Sequence, residues 1–260
     1  MKLIDVHCHL DAYTFPDVSE VIERCRKNNV LAFAAGLDPV TNKQVLALQE
    51  TYPDVIYPCL GLYPRDALKK ETENTDEKLD LDYDPDEVLK FIEEHKTRII
   101  AVGEVGMDFK NGTDFKEQER VFRNVVALAI KINKPLIVHS RKAEKEVIDI
   151  LEEFNYKKIV MHCFCGSHKL VRRIRENNWY FSIPTSIVRD EHFQMIVKET
   201  PLSLLLTETD SPFLSPFKDQ RNEPSFVIET IKVIAKLKSL TEEDVATLLY
   251  RNCQYLFGIK

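Results

Sequence analysis

Eight short runs rich in apolar and β-branched residues recur along the chain: Leu3–His9, Val30–Gly36, Val55–Tyr63, Ile99–Asp108, Pro135–Ser140, Lys158–Phe164, Trp179–Pro184 and Leu202–Asp210. Most are continuously apolar, and such a strand must be buried on both faces, as in a parallel sheet covered by helices. Between them lie amphipathic stretches, Val18–Lys27, Pro85–His95, Lys116–Ile132 and Glu144–Phe154, with apolar residues three and four apart. Asp84-Pro85-Asp86-Glu87 offers an N-cap, a proline preset for the first turn and acids at the positive helix end, and Thr241-Glu242-Glu243-Asp244 resembles a capping box. Helices over about Ser225–Leu237 and Glu242–Phe257 close the chain. This alternation over 260 residues predicts an α/β chain folded as one (β/α)8 TIM-barrel domain, residues 1–260. The polar insertion Lys69–Asp84 is expected to be an exposed loop on the rim after strand three.

No apolar run reaches the roughly 18 residues of a membrane span, and the N-terminus opens on a strand without the regions of a signal peptide. A soluble, cytoplasmic protein with no membrane association is expected. The six cysteines are spread among the expected core elements without the dense framework of a small secreted domain, and are read as reduced thiols. A net charge of -6 argues against coating nucleic acid by bulk electrostatics. It does not exclude a nuclease, because bound divalent cations supply positive charge where it is needed. The basic clusters Arg141-Lys142-Lys145, Lys157-Lys158 and Arg172-Arg173-Arg175 read as solvated helix faces and turns.

Polar residues able to bind metal stand at the ends of the apolar runs: His7 and His9, Glu104 and Asp108, His139, His162 and Asp210. Alternation along the first strand points Asp5, His7 and His9 toward one side. Four of the seven histidines end apolar strands, whereas His95, His168 and His192 lie in helix-like or loop segments and are read as structural. In a (β/α)8 barrel the strand C-termini share one rim, which is where active sites form. Imidazole and carboxylate donors together suit zinc, manganese and related ions, and disfavour calcium. His7, His9, Glu104, His139, His162 and Asp210 are more ligands than one tetrahedral ion uses, so two divalent ions (Zn, Mn, Mg or similar) with a bridging carboxylate are expected. Glu104 is assigned the bridge, because strand four lies between strand one and strands five and six. Cys163 and Cys165 flank His162, and packing is the favoured reading for both.

Taken in order, Asp5-Val6-His7-Cys8-His9-Leu10, Gly103-Glu104-Val105-Gly106-Met107-Asp108, Val138-His139-Ser140-Arg141, His162-Cys163-Phe164-Cys165-Gly166, Glu208-Thr209-Asp210-Ser211-Pro212 and Arg221-Asn222-Glu223-Pro224 resemble the signatures of TatD-family metal-dependent deoxyribonucleases, within the amidohydrolase-like hydrolases. The resemblance runs from residue 3 to Leu256-Phe257. It implies a TIM barrel with two divalent metals that hydrolyses DNA phosphodiesters, often as an exonuclease. By motif, His7, His9 and Asp210 would hold one metal and His139 and His162 the other, with Glu104 between them. Gly61-Leu62-Tyr63-Pro64 departs from the family's usual Gly-x-His-Pro, so Tyr63 stands where a substrate-facing histidine is common. A phenol can hydrogen-bond a phosphate oxygen but cannot become cationic near neutral pH.

The expected chemistry is two-metal activation of a bound water, with Asp210 taking the nucleophile's proton. Arg141 is assigned to substrate binding, as a guanidinium fork for phosphate or else a partner in a surface salt bridge, and Tyr63 is assigned with it. Asp108 either orients a ligand or caps the following helix. The expected partner is DNA, single-stranded or presenting an end; Phe164, Phe213 and Phe217 lie near rim segments where bases could stack, though aromatics near strand ends are more often core or loop packing. One rival is a binuclear hydrolase of amides or lactones, which often bridges its metals with a carboxylated lysine; Ile99–Phe109 contains no lysine. The other is a non-catalytic metal-binding scaffold, for which a closed shell of four ligands would suffice.

Overall fold

The computed structural model describes residues 1–10, 15–73 and 81–259. In chain order run β1 (Leu3–Cys8), α1 (Val18–Asn28), β2 (Val30–Ala35), α2 (Pro39–Thr51), β3 (Ile56–Leu62), α3 (Arg65–Thr72), α4 (Pro85–Glu94), β4 (Ala101–Asp108) and α5 (Phe115–Lys131). They are followed by β5 (Leu136–Arg141), α6 (Glu144–Phe154), β6 (Ile159–His162), α7 (His168–Glu176), β7 (Tyr180–Ile183), α8 (Glu191–Glu199), β8 (Leu205–Thr207), α9 (Val227–Lys238) and α10 (Glu242–Phe257). The eight strands belong to one sheet in the order β1 to β8, and the fold is the expected (β/α)8 barrel. The chain divides into two compact units, residues 1–34, 48–57 and 180–260 in the first and 35–47 and 58–179 in the second.

In the first unit β1 is buried at every residue and pairs in parallel with β2, Leu3 opposite Val30 and Asp5 opposite Ala32, with a register shift between Asp5 and Cys8. Thr207 Oγ1 donates to the Ile4 carbonyl at 2.5 Å, which ties β8 to β1. Beyond β8 the backbone stays with β1: Asp210 N donates to His7 O at 3.0 Å and His9 N to Ser211 O at 2.8 Å. Phe33 of β2 meets Phe257 of α10 edge to face, ring centres 4.9 Å apart. Thr241 caps α10 through Asp244 N, as the sequence predicts.

In the second unit β4 pairs with β3 and β5, and its register shifts on both sides of Gly103-Glu104. Such an irregularity re-aims a side chain, here Glu104. Gly106 sits opposite His139 at φ +152°, where a Cβ would run into the His139 carbonyl. Gln118 of α5 accepts from Asp108 N at 2.8 Å and donates to Asp66 at 3.0 Å, pinning the end of β4 to α3 and α5.

Several boundaries differ from the sequence expectation for local reasons. Lys69–Thr72 belong to α3 rather than a loop, and Asp84 accepts from Asp86 N to cap α4; the rest of that insertion, residues 74–80, lies outside the described residues. Helix α2 shows little apolar periodicity because polar residues anchor it: Asn42 exchanges hydrogen bonds of 2.8 and 2.9 Å with the backbone of Gly61. Helices α7 and α8 have nine residues each, and they carry the His168 and His192 that sequence read as structural. Strand β8 is cut to three residues, since 202–204 form a 3₁₀ turn. Pro224–Phe226 form another such turn, which delays α9 to Val227. All six cysteines remain thiols, but only four are buried: Cys163 is half-buried and Cys165 exposed, so neither packs in the core as expected.

Candidate metal centre

The structure gathers the sequence-predicted ligands as two sets, one in each unit. In the first unit, β1 and the segment after β8 bring His7 Nε2 and His9 Nε2 to 3.5 and 3.6 Å from the same Asp210 oxygen, with the two rings edge to face at 4.8 Å. Asp210 adopts φ +56°, a left-handed turn that few non-glycine residues take, and its backbone bond to His7 holds it there. Beneath lies the wholly buried Asp5, whose carboxylate accepts from His7 N, Thr209 N and Thr209 Oγ1 at 3.2, 2.9 and 2.5 Å. Burial pushes its pKa up to about 7 against the pull of those bonds. The Asn222 amide donates to Thr185 Oγ1, Thr209 O and Phe213 O at 2.9, 2.8 and 2.6 Å, so one side chain fixes the loop on both sides of Asp210.

In the second unit Glu104, His139 and His162 place donor atoms within 4.8 Å of one another. Glu104 Oε1 lies 2.8 Å from His139 Nδ1 and 3.7 Å from His162 Nε2. Behind His139, Asp108 Oδ2 is 3.2 Å from Nε2, and the Tyr63 hydroxyl donates to that same oxygen at 2.9 Å while standing 3.2 Å from Nε2. Burial alone would lower the His139 pKa, but the two flanking carboxylates raise it to about 9. Asp108 answers in the other direction: burial raises it, and His139, the Asn111 backbone amide and Tyr63 outweigh that and bring it to about 2. Burial and the neighbouring carboxylates hold the Tyr63 phenol well above its ordinary value, so it stays neutral.

Of the two roles that sequence left open, Asp108 takes the first and not the second: the following helix, α5, is capped by Asp114, whose side chain accepts from Glu117 N at 3.2 Å, and Asp108 holds only the turn before it. Its Oδ2 holds His139, and its Oδ1 accepts from Lys110 N and Asn111 N at 2.8 Å each, capping the turn after β4. Arg141, at the end of β5, is exposed and bonds Glu71 Oε1 at 2.9 Å, with Asn111 on the same oxygen. Glu71 carried no signal in the sequence, because its partners come from β5 and the turn after β4. Asn222 and Thr209 lie inside recognisable sequence motifs, yet nothing in their spacing shows which carbonyls and carboxylate they bind.

Whether these donors suit metal follows from their separations. Ligand atoms about 2.1 Å from a tetrahedral ion stand roughly 3.4 Å apart. The 3.5, 3.6 and 3.7 Å pairs are near that spacing and longer than a hydrogen bond, and the imidazole and carboxylate donors suit zinc or manganese. Glu104 and His139 stand at hydrogen-bond distance instead, as a protonated imidazole beside a carboxylate would.

Comparison with known proteins accords with this arrangement. The family described as TatD-related DNase matches residues 4–258. Deoxyribonuclease TATDN3 of Homo sapiens is 36% identical over 262 residues, covering 98% of this chain and 94% of that protein. An uncharacterised metal-dependent hydrolase of Bacillus subtilis, YabD, is 36% identical over 266 residues and covers 99% of both. Among solved structures, the TatD homologue YjjV of Escherichia coli K12 superposes with a TM-score of 0.84 at 25% identity, covering 99% of this chain and 98% of that one. The chain belongs to the TatD-related DNase family of metal-dependent hydrolases.

Proposed function

We propose that the protein hydrolyses DNA phosphodiester bonds with two divalent ions, acting as an exonuclease on single-stranded or end-presenting DNA in the cytoplasm, through one domain spanning 1–260. In this reading His7, His9 and Asp210 would hold one ion, His139 and His162 the other, and Glu104 would serve both. The observation that carries it is the three histidine–carboxylate pairs near metal spacing, His7 and His9 with Asp210 and His162 with Glu104, in a chain of this family. Ions held there supply Lewis acidity toward a phosphoryl oxygen and lower the pKa of a coordinated water.

The remaining work falls to the protein's own groups. Asp210, partly open to solvent and locked in its turn by the His7 carbonyl, receives the proton of the attacking water at its carboxylate. Asp108 fixes the ring of His139, and Tyr63 fixes Asp108. The single proton of the Tyr63 hydroxyl is given to Asp108, so Tyr63 donates to a phosphate oxygen only by releasing that bond, and then as a neutral phenol. Arg141 meets the phosphate by exchanging Glu71 for it, a swap that exposure makes cheap. Six thiols without a disulfide fit a reducing compartment, and among the described residues no helix is long and apolar enough to cross a membrane.

The test is cleavage of 5′- and 3′-labelled single- and double-stranded oligonucleotides with Mg, Mn or Zn added, beside simple lactones and dipeptides. Metal-dependent shortening from one end, abolished by chelation, is expected. Hydrolysis of a lactone or dipeptide with DNA left intact would assign the site to carbonyl chemistry, and no hydrolysis at full metal occupancy would make it a scaffold.

A further inference from the structure

Of the three rim phenylalanines, Phe164 is 1% exposed and belongs to the core, whereas Phe213 is 60% and Phe217 41% exposed. Single exposed apolar residues are ordinary on a protein surface. Phe213 differs in how firmly its backbone is held. Its N–H donates to Asp210 O at 3.0 Å and its carbonyl accepts from Asn222 at 2.6 Å. The next two carbonyls are held as well, Leu214 O by Thr185 Oγ1 at 2.9 Å and Ser215 O by Arg189 at 2.7 Å. A large ring is thus presented to solvent on an immobilised backbone, three residues beyond the proposed metal ligand Asp210.

Beside it opens a groove of about 660 Å³ walled by Leu214, Pro216 and Phe217, with two cations, Arg189 and Lys218, and one acid, Asp219, along its lining, a net positive charge. Phe217 is itself braced edge to face on Phe226, ring centres 5.1 Å apart. An exposed aromatic, a second one in an adjoining groove and two cations form the combination that grips single-stranded nucleic acid: π-faces for bases and positive charge for the backbone.

We propose that Phe213 is the stacking platform for a nucleobase adjoining the phosphodiester that is cut, and that the groove lined by Phe217, Arg189 and Lys218 receives the neighbouring nucleotide of a single strand. This rests on the phosphodiesterase reading for its substrate and extends it to base contacts that do not depend on base identity. Preference for single strands follows, because a paired base cannot offer its face to Phe213.

The test uses the manganese-loaded protein and a fluorescent single-stranded oligonucleotide with phosphorothioate linkages that resist cleavage, bound with ordinary bases or with abasic residues at its end. Fluorescence anisotropy is expected to show Phe213→Ala weakening the base-bearing strand roughly ten- to a hundredfold, Phe213→Trp restoring it, and the abasic strand binding both proteins alike. Unchanged binding in Phe213→Ala, or equal wild-type affinity for both strands, would overturn the proposal. So would sedimentation showing that Phe213→Ala dissolves a dimer while oligonucleotide binding is kept. If the base-dependent loss is seen but the wild type cuts no ordinary DNA with any metal, the phosphodiesterase reading fails and the stacking site stands. Cleavage of ordinary DNA without base-dependent binding would instead overturn the stacking site and leave the phosphodiesterase reading in place.

Discussion

The two donor sets are built from the same chemistry and sit differently. Around Asp210 the separations are 3.5 and 3.6 Å, held open by backbone bonds between β1 and the segment after β8. Around Glu104 the set closes on itself: His139 lies 2.8 Å from Glu104 and 3.2 Å from Asp108, and the two carboxylates raise its pKa to about 9. Spacing held by backbone is present before any ion arrives, whereas spacing left to side chains collapses onto the strongest available hydrogen bond. Under the proposed function the first set would receive an ion as it stands, and the second would have to release the proton of His139.

Removing a ligand from either set tests whether both are needed. Asp210→Ala and Glu104→Ala should each lower metal-dependent cleavage by more than about a thousandfold with folding intact by circular dichroism; retained activity in one of them would remove that set from catalysis. The proton on His139 comes next. Its pKa in the folded protein, about 9, is raised from 6.5, so the metal-free chain gains stability that is full below pH 6.5 and is lost as pH climbs through 9. An ion competes with that proton, so affinity at the Glu104 set should rise about tenfold per pH unit up to about 9. Calorimetry in buffers of different ionisation enthalpy should count close to one proton released there, and a pH-independent affinity would mean that His139 is neutral.

Asp108→Ala removes the group behind His139 and should cut affinity at that set by about ten- to a hundredfold, turning a two-site titration into one tight and one weak site. Equal weakening of both would erase the distinction drawn between them. The smallest effect is expected for Tyr63→Phe, which deletes one hydrogen bond to Asp108 worth about 1 kcal/mol, or roughly fivefold in metal affinity at the Glu104 set. A larger fall in kcat than in metal affinity would show that Tyr63 also touches the substrate.

Periodicity and caps made much of the fold legible, down to α6 over Glu144–Phe154 and α10 over Glu242–Phe257, because these signals lie within a few residues of one another. Helix α2 escaped for the opposite reason: what fixes it is Asn42 on Gly61, a polar contact between elements. In the site the ligand types were readable, since histidine at a strand end is conspicuous. The partners that aim them were not, as with Asn222 on Thr209 and Tyr63 on Asp108.

The letters alone determined the eight-strand alternation, the order of His7, His9, Glu104, His139, His162 and Asp210, and the departure at Tyr63. Only the folded chain decided that Asp5 would reach Thr209, 204 residues away, that His139 would carry a proton between two carboxylates, and that Phe213 rather than Phe164 would face solvent. Strand and helix periods are written in neighbouring residues. Burial, charge coupling and the aim of a side chain depend on groups brought together from distant parts of the chain, and the free energy of those contacts exists only once packing has made them neighbours.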